Sequence, residues 1–120
     1  MMVRGIRGAI TIEEDKALEV IKATQELLTE IQDKNEFQIE EIASILFTVT
    51  ADIRSAFPAE AARLKGWARV PLLCFQEIEV PGALLRCIRV LVHVNTHKAQ
   101  EEINHIYLRG AQQLRQDLLK

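Results

Sequence analysis

The chain has only two cysteines, Cys74 and Cys87. They form no CxxC pair, stand at no metal-ligand spacing from a histidine, and are too few for a disulfide framework. Long apolar runs are also missing. No segment reaches the ~18 uninterrupted apolar residues that a membrane span needs. Met1-Met2-Val3-Arg4-Gly5 carries no apolar run ahead of a cleavage site, so no secretory signal is expected. These absences point to the cytoplasm, where thiols stay reduced. There is no excess of positive charge either. The net charge is -2, which speaks against nucleic acid or an anionic membrane as the main partner. A few local arginines are still enough to hold a small anion.

The common catalytic signatures are absent too. There is no GxSxG and no HExxH. Gly5-Ile6-Arg7-Gly8-Ala9 has neither the length nor the lysine of a phosphate-binding P-loop. His93, His97 and His105 are scattered, and are expected at the surface or with ordinary hydrogen-bond partners. No metal and no cofactor is expected.

What is present is a folding pattern. The 120 residues are 48% hydrophobic and 27% charged, which reads as one folded domain over 1–120 with a real core. No repeat, linker or low-complexity segment interrupts it. A domain of this size leaves apolar surface uncovered, so oligomerisation fits it.

Cys87 to Thr96 is the strongest strand signal: dense in β-branched and aliphatic residues, without Gly or Pro. Val3 to Ile12 reads as a first strand, with Ile6, Ile10 and Ile12 at even spacing and Gly5 and Gly8 suggesting a bulge or a close backbone approach. Arg4 and Arg7 are three apart, so they face opposite sides of it. Thr11-Ile12-Glu13-Glu14 has the form of a capping box. An amphipathic helix follows from about Asp15 to Asp33, with Ala17, Val20, Ile21, Thr24, Leu27, Leu28 and Ile31 at helical spacing.

Phe37 to Ile42 predicts a short helical turn. Ala43 to Thr50 predicts a strand that is central or buried on both faces. Pro58 suits the first position of a short helix that runs to Leu64 and ends at Lys65-Gly66. Arg69 to Phe75 predicts a strand, with Pro71 suggesting an edge. Pro81-Gly82 marks a turn. Asn104 to Ala111 predicts the last strand, with Ile106 and Leu108 on one face and Tyr107 on the other. Gln112 to Lys120 reads as a polar tail. The expected fold is α+β: a mixed sheet of about five strands against one long helix.

The residues left for chemistry are Arg4, Arg7, Arg63, Arg89 and Arg115, beside apolar or small neighbours, with Glu77, Cys74 and Tyr107. A buried arginine keeps its proton and must meet an anion. Arginines converging from separate strands suit a compound with two carboxylates, since guanidinium matches carboxylate bidentately. Glu77 can then accept a hydrogen bond from a substrate hydroxyl. A structural Arg89–Glu77 ion pair accounts for the same two residues equally well.

Several short motifs recur in order along the chain: Met1 to Ala9, Phe57-Pro58-Ala59 with Arg63, Gly66-Trp67 and Val70-Pro71, Cys74-Phe75-Gln76-Glu77, Arg86-Cys87-Ile88-Arg89, and His105-Ile106-Tyr107-Leu108. In these the sequence resembles the monofunctional αβ-class chorismate mutases, which are distinct from the all-helical ones. The resemblance implies a chorismate-mutase-like homotrimer with active sites at subunit interfaces. It implies conversion of chorismate to prephenate, a unimolecular [3,3] rearrangement in phenylalanine and tyrosine biosynthesis, without a cofactor. Arg89 would contact the ether oxygen and a carboxylate, Arg7 and Tyr107 a carboxylate, and Glu77 the ring hydroxyl with help from the thiol or the backbone of Cys74. Phe57, Ala59, Arg63, Leu72, Leu73, Leu114 and Arg115 would line the pocket or its lid. Three positions depart from the family pattern: Glu60 is basic there, Gln116 is often Pro, and Leu73 is small and polar.

The chemistry of the residues agrees with such a reaction. A pericyclic rearrangement uses no nucleophile and no acid–base pair. It asks for a compact substrate geometry and for positive charge aimed at the oxygen where negative charge develops. Two other readings use similar residues. A trimer of like architecture could sense a small carboxylate without turnover, and trimeric enamine/imine deaminases also place an arginine at an interface. The joint presence of Arg7, Glu77, Arg89 and Tyr107 favours the mutase over both.

Overall fold

In the computed structural model, which describes residues 1–114, five strands form one mixed sheet in the order β3-β2-β4-β1-β5. The strands are β1 (Met2–Thr11), β2 (Ile42–Val49), β3 (Leu72–Gln76), β4 (Cys87–Thr96) and β5 (Ile106–Leu108). β4 runs antiparallel to β1 and β2, whereas β3 is parallel to β2 and β5 to β1. The long helix α1 (Ala17–Asn35) lies on one face and the short α2 (Ala59–Leu64) packs beside it. This is the expected α+β architecture.

The core is the layer between α1 and the sheet. Val20, Ala23, Thr24, Leu27, Leu28 and Ile31 form the buried stripe of α1, at the three-and-four spacing of a helix face. They meet Ile6 and Ile10 of β1, Ile45 and Phe47 of β2, and Ile88, Val90 and Val92 of β4. Each large aliphatic side chain buried there contributes roughly 1.5–3 kcal/mol. Gly8 lies under the helix because nothing larger fits: a Cβ there would sit 2.8 Å from Ile31 Cδ1 and 3.1 Å from Leu27 Cδ1.

Strand alternation then sets the opposite face. The odd residues Arg7 and Ala9 of β1 and Cys87, Arg89 and Leu91 of β4 point away from α1, as do Leu46 and Thr48 of β2. At one end of this side the helical turn Arg109–Ala111 and Leu114 pack over Ala9 and Cys87, while α1 lies on the other face. β2 has paired strands on both edges but is not buried on both faces. Its outward residues Ser44, Leu46 and Thr48 are only partly buried.

Several local expectations change. Thr11 does not open a capping box. It ends β1, and its Oγ1 accepts a 2.9 Å hydrogen bond from the Gly110 amide. The helix begins at Ala17, after an extended Lys16 that provides no side-chain cap. β3 starts at Leu72, not at Arg69. Pro71 has no amide to give, but its carbonyl accepts from the Ile45 amide and leads the chain onto the sheet edge. The last strand stops at Leu108 because Arg109 adopts φ 54°, and the chain turns into a tight helical turn over Arg109–Ala111.

Candidate active site

β4 carries Arg89 between two neighbours with small side chains, Ala9 on β1 and Thr48 on β2. Its guanidinium therefore has room to extend along the open face. The start of the strand is tied down independently. Arg86 sits at φ 45°, and its amide donates to both oxygens of Asp52, at 3.1 and 2.9 Å. Thr50 Oγ1 donates to Asp52 and accepts from the Cys87 amide at 3.0 Å. Asp52, three residues past β2, thus clamps Arg86 just ahead of β4, and Thr50 holds the first residue of the strand.

Around Arg89 lies a cavity of about 500 Å³. Arg7, Leu46, Thr48, Phe75, Glu77, Leu91, Tyr107 and Leu114 share its walls. Arg7 comes from β1, Tyr107 from β5 and Glu77 from the residue just past β3. Glu77 Oε1 is 3.2 Å from Arg89 Nε, and Glu77 Oε2 accepts a 2.9 Å hydrogen bond from Thr48 Oγ1. The pair is not a finished ion pair. The Nε–H does not point at the oxygen beside it, so this buried nitrogen has no hydrogen bond among the described residues. A buried donor left in that state costs roughly 1–3 kcal/mol. Two guanidiniums face one carboxylate here, and the surplus positive charge suits an anionic ligand.

Behind Arg89, Cys87 is fully buried in a small cluster with Ala9, Ala111 and Tyr107. Burial pushes its thiol up to about 11, against the opposing pull of the Arg89 charge. His105 supports Arg7: the Arg7 amide donates to His105 Nδ1 at 2.9 Å. Burial, then the charge of Arg7, holds the imidazole below its usual value. The acceptor role requires a neutral ring. An unfolded His takes up its proton near pH 6.5, where the folded one still refuses it. Stability is thus expected to fall as pH drops from 6.5 toward the lower folded value, and to be unaffected above 6.5. Urea midpoints at about pH 7.5 and about pH 5.5 test this: the drop should be smaller in His105→Asn, which keeps a neutral acceptor. An equal drop in both proteins would remove His105 as its source.

The other expected site residues lie elsewhere in the chain. Cys74 is three residues from Glu77, so the strand alternation sends it to the opposite side. It borders a second cavity of about 570 Å³ with Phe57, Pro58 and Glu60. Burial raises its thiol, opposed by the Ala59 amide and the Arg63 charge, which places Arg63 on this side. Within one chain the Cys74 thiol therefore points away from Glu77, which leaves its backbone as the part on that strand near it. Phe57 is 69% exposed, whereas Ala59 is in the core. Leu72 packs against the core, and Leu73 is exposed at the sheet edge. Arg115 and Gln116 lie outside the described residues.

Sequence reading missed Thr48, Leu46 and Phe75. Thr48 looked like one polar residue in an apolar strand. Only the β2–β4 register shows that it stands opposite Arg89.

Fold and cavity together define an α+β protein that offers two guanidiniums, a carboxylate and a phenol to a small, multiply charged anion. Known proteins narrow this class. The family described as chorismate mutase type I matches residues 3–118. The chorismate mutase AroH of Thermus thermophilus is 55% identical over 118 residues, covering 98% of this chain and 97% of the relative. That of Bacillus subtilis (strain 168) is 44% identical over 119 residues, covering 98% and 94%. A solved chorismate mutase from Clostridium thermocellum has a TM-score of 0.90 at 50% identity, covering 91% of this chain and 97% of that one. The chain belongs to the type I chorismate mutase family, and is by that membership an isomerase.

Proposed function

We propose that this chain converts chorismate to prephenate, the step toward phenylalanine and tyrosine, as a homotrimer whose active sites lie between subunits. One observation carries the reading: a buried Arg89 Nε without a hydrogen bond among the described residues, at a cavity shared with Arg7, Glu77 and Tyr107. Arg89 gives that donor to the ether oxygen, where negative charge grows as the C–O bond breaks. Such preorganised donors are usually the largest single contribution to catalysis. Arg7 and Tyr107 hold the carboxylates, and Glu77 accepts from the ring hydroxyl. Leu46, Leu91 and Leu114 form dry walls that hold the substrate compact.

Two incomplete halves support the trimer. The open face holds the catalytic charges, and among the described residues it is covered at one end by Ala111 and Leu114 and left open around the cavity. The other side of β3, near α2, holds Phe57, Arg63 and Cys74. A ring in which each copy lays its β3 edge across the open face of the next joins both halves and closes on itself. Leu73 and Phe75, 58% and 47% exposed on β3, are then covered.

The test is the loss of chorismate absorbance on adding purified protein, with prephenate identified as the product. Binding without turnover would replace the enzyme reading with a sensor.

A further inference from the structure

The Glu77 carboxylate lies at the end of a long side chain, one residue past the sheet edge. Its backbone amide donates to the Val49 carbonyl at 2.9 Å, which fixes the main chain. Beyond it the chain leaves the sheet, and Ile78 is 88% exposed. The head group is not fixed by the backbone, because the terminal torsion of a glutamate is broad and roughly two-fold. Among the described residues, the carboxylate has two partners: Thr48 Oγ1 at 2.9 Å on Oε2 and Arg89 Nε at 3.2 Å from Oε1. The Arg89 contact is not aligned as a hydrogen bond. The Thr48 hydroxyl is therefore the only aligned hydrogen bond on that head group.

Thr48 is also the residue opposite Arg89 in the β2–β4 register. It interrupts Ile45-Leu46-Phe47-Thr48-Val49, where valine would have the same shape and form a strand as well. What threonine adds there is one donor, directed at Glu77.

We propose that Thr48 is a positioning residue for the reaction: its hydroxyl sets the rotation of the Glu77 carboxylate, so that one oxygen stays beside Arg89 and toward the substrate hydroxyl. This rests on the chorismate mutase reading of the cavity. Without the hydroxyl the carboxylate turns, the counter-charge of Arg89 moves with it, and the guanidinium loses its aim.

Thr48→Val keeps the shape and removes the donor. Its kcat should fall roughly tenfold to a hundredfold, as for loss of a hydrogen bond to a charged group, with a smaller change in KM. Thr48→Ser should recover most of the rate. In a Glu77→Ala background, adding Thr48→Val should change the rate less than about twofold, since the hydroxyl then has nothing to position. An equal loss in both backgrounds would mean a merely structural role and overturn the proposal, as would a Thr48→Val enzyme at the wild-type rate. Thr48→Ala serves the same comparison if the valine variant misfolds. A crystal structure of Thr48→Val reads the placement without turnover: a rotated Glu77 is expected, and an unmoved one refutes the role. An inactive wild-type protein with Glu77 rotated in the variant would refute the reading of the cavity but not the role of Thr48.

Discussion

Arg89→Ala is expected to lower kcat by about two to three orders of magnitude, the usual effect of removing one preorganised donor to a developing oxyanion. The fold should survive. The Arg89 side chain is 42% exposed, so its loss opens no core cavity. β4 keeps its ladders to β1 and β2, and its start is still held by Asp52. Glu77 loses its cation but keeps the Thr48 hydroxyl. Circular dichroism and thermal unfolding should therefore stay close to wild type while turnover collapses. Arg89→Lys should recover only part of the rate, because an ammonium is a point charge without the planar fork that meets an ether oxygen and a carboxylate together. A folded Arg89→Ala protein at the wild-type rate would remove Arg89 from the reaction.

The second expected result comes from mixing two inactive proteins. Arg89→Ala damages the open-face half of the site. Arg63→Glu damages the half near α2 by facing a dicarboxylate with the wrong charge. Arg63 is exposed, so its replacement should leave the chain folded. In a closed ring whose sites draw one half from each of two neighbours, random mixing leaves roughly a quarter of the sites intact. Unfolding the two variants together and refolding them should then restore roughly a quarter of the wild-type activity per chain. Sites contained within one chain would regain nothing, as would separately folded trimers mixed without exchange. The result thus reads the shared-site geometry directly, apart from the chemistry of either residue.

Much of the scaffold was legible in the sequence because its signals are local. The α1 stripe repeats at helical spacing, and α1 forms where that stripe is. Cys87–Thr96 became β4 with the same ends, since nothing in it competes with a strand. Parity alone separated Arg4 from Arg7: Arg4 Nε donates to the Lys98 carbonyl at 3.0 Å, while Arg7 lines the cavity. The failures were at places where a distant partner outbid a local pattern. Thr11 matched a capping box, but the Gly110 amide, far away in sequence, took its oxygen. Asp52 is far from β4 in sequence, yet its carboxylate holds the Arg86 amide just ahead of that strand. The three histidines are ordinary in the structure as well: His93 pairs with Ser44 at 3.0 Å, His105 accepts from Arg7, and His97 is exposed.

The site divides along the same line. The family resemblance of the ordered motifs singled out Arg7, Glu77, Arg89 and Tyr107, whereas residue types alone left a structural Arg89–Glu77 ion pair equally open. They did not say which of these residues meet. Glu77 reaches Arg89 because β3 pairs in parallel with β2 at the sheet edge, and β2 with β4. Cys74 goes to the other side because side chains alternate along β3. Both depend on pairings between strands far apart in sequence, and a linear pattern carries a strand's period but not its neighbour. The sequence by itself determined the elements, the family and the charges. The tertiary structure decided that Thr48 stands beside Glu77, that Arg89 Nε has no hydrogen bond among the described residues, and that Phe57 and Cys74 lie at a separate cavity on the other side of β3.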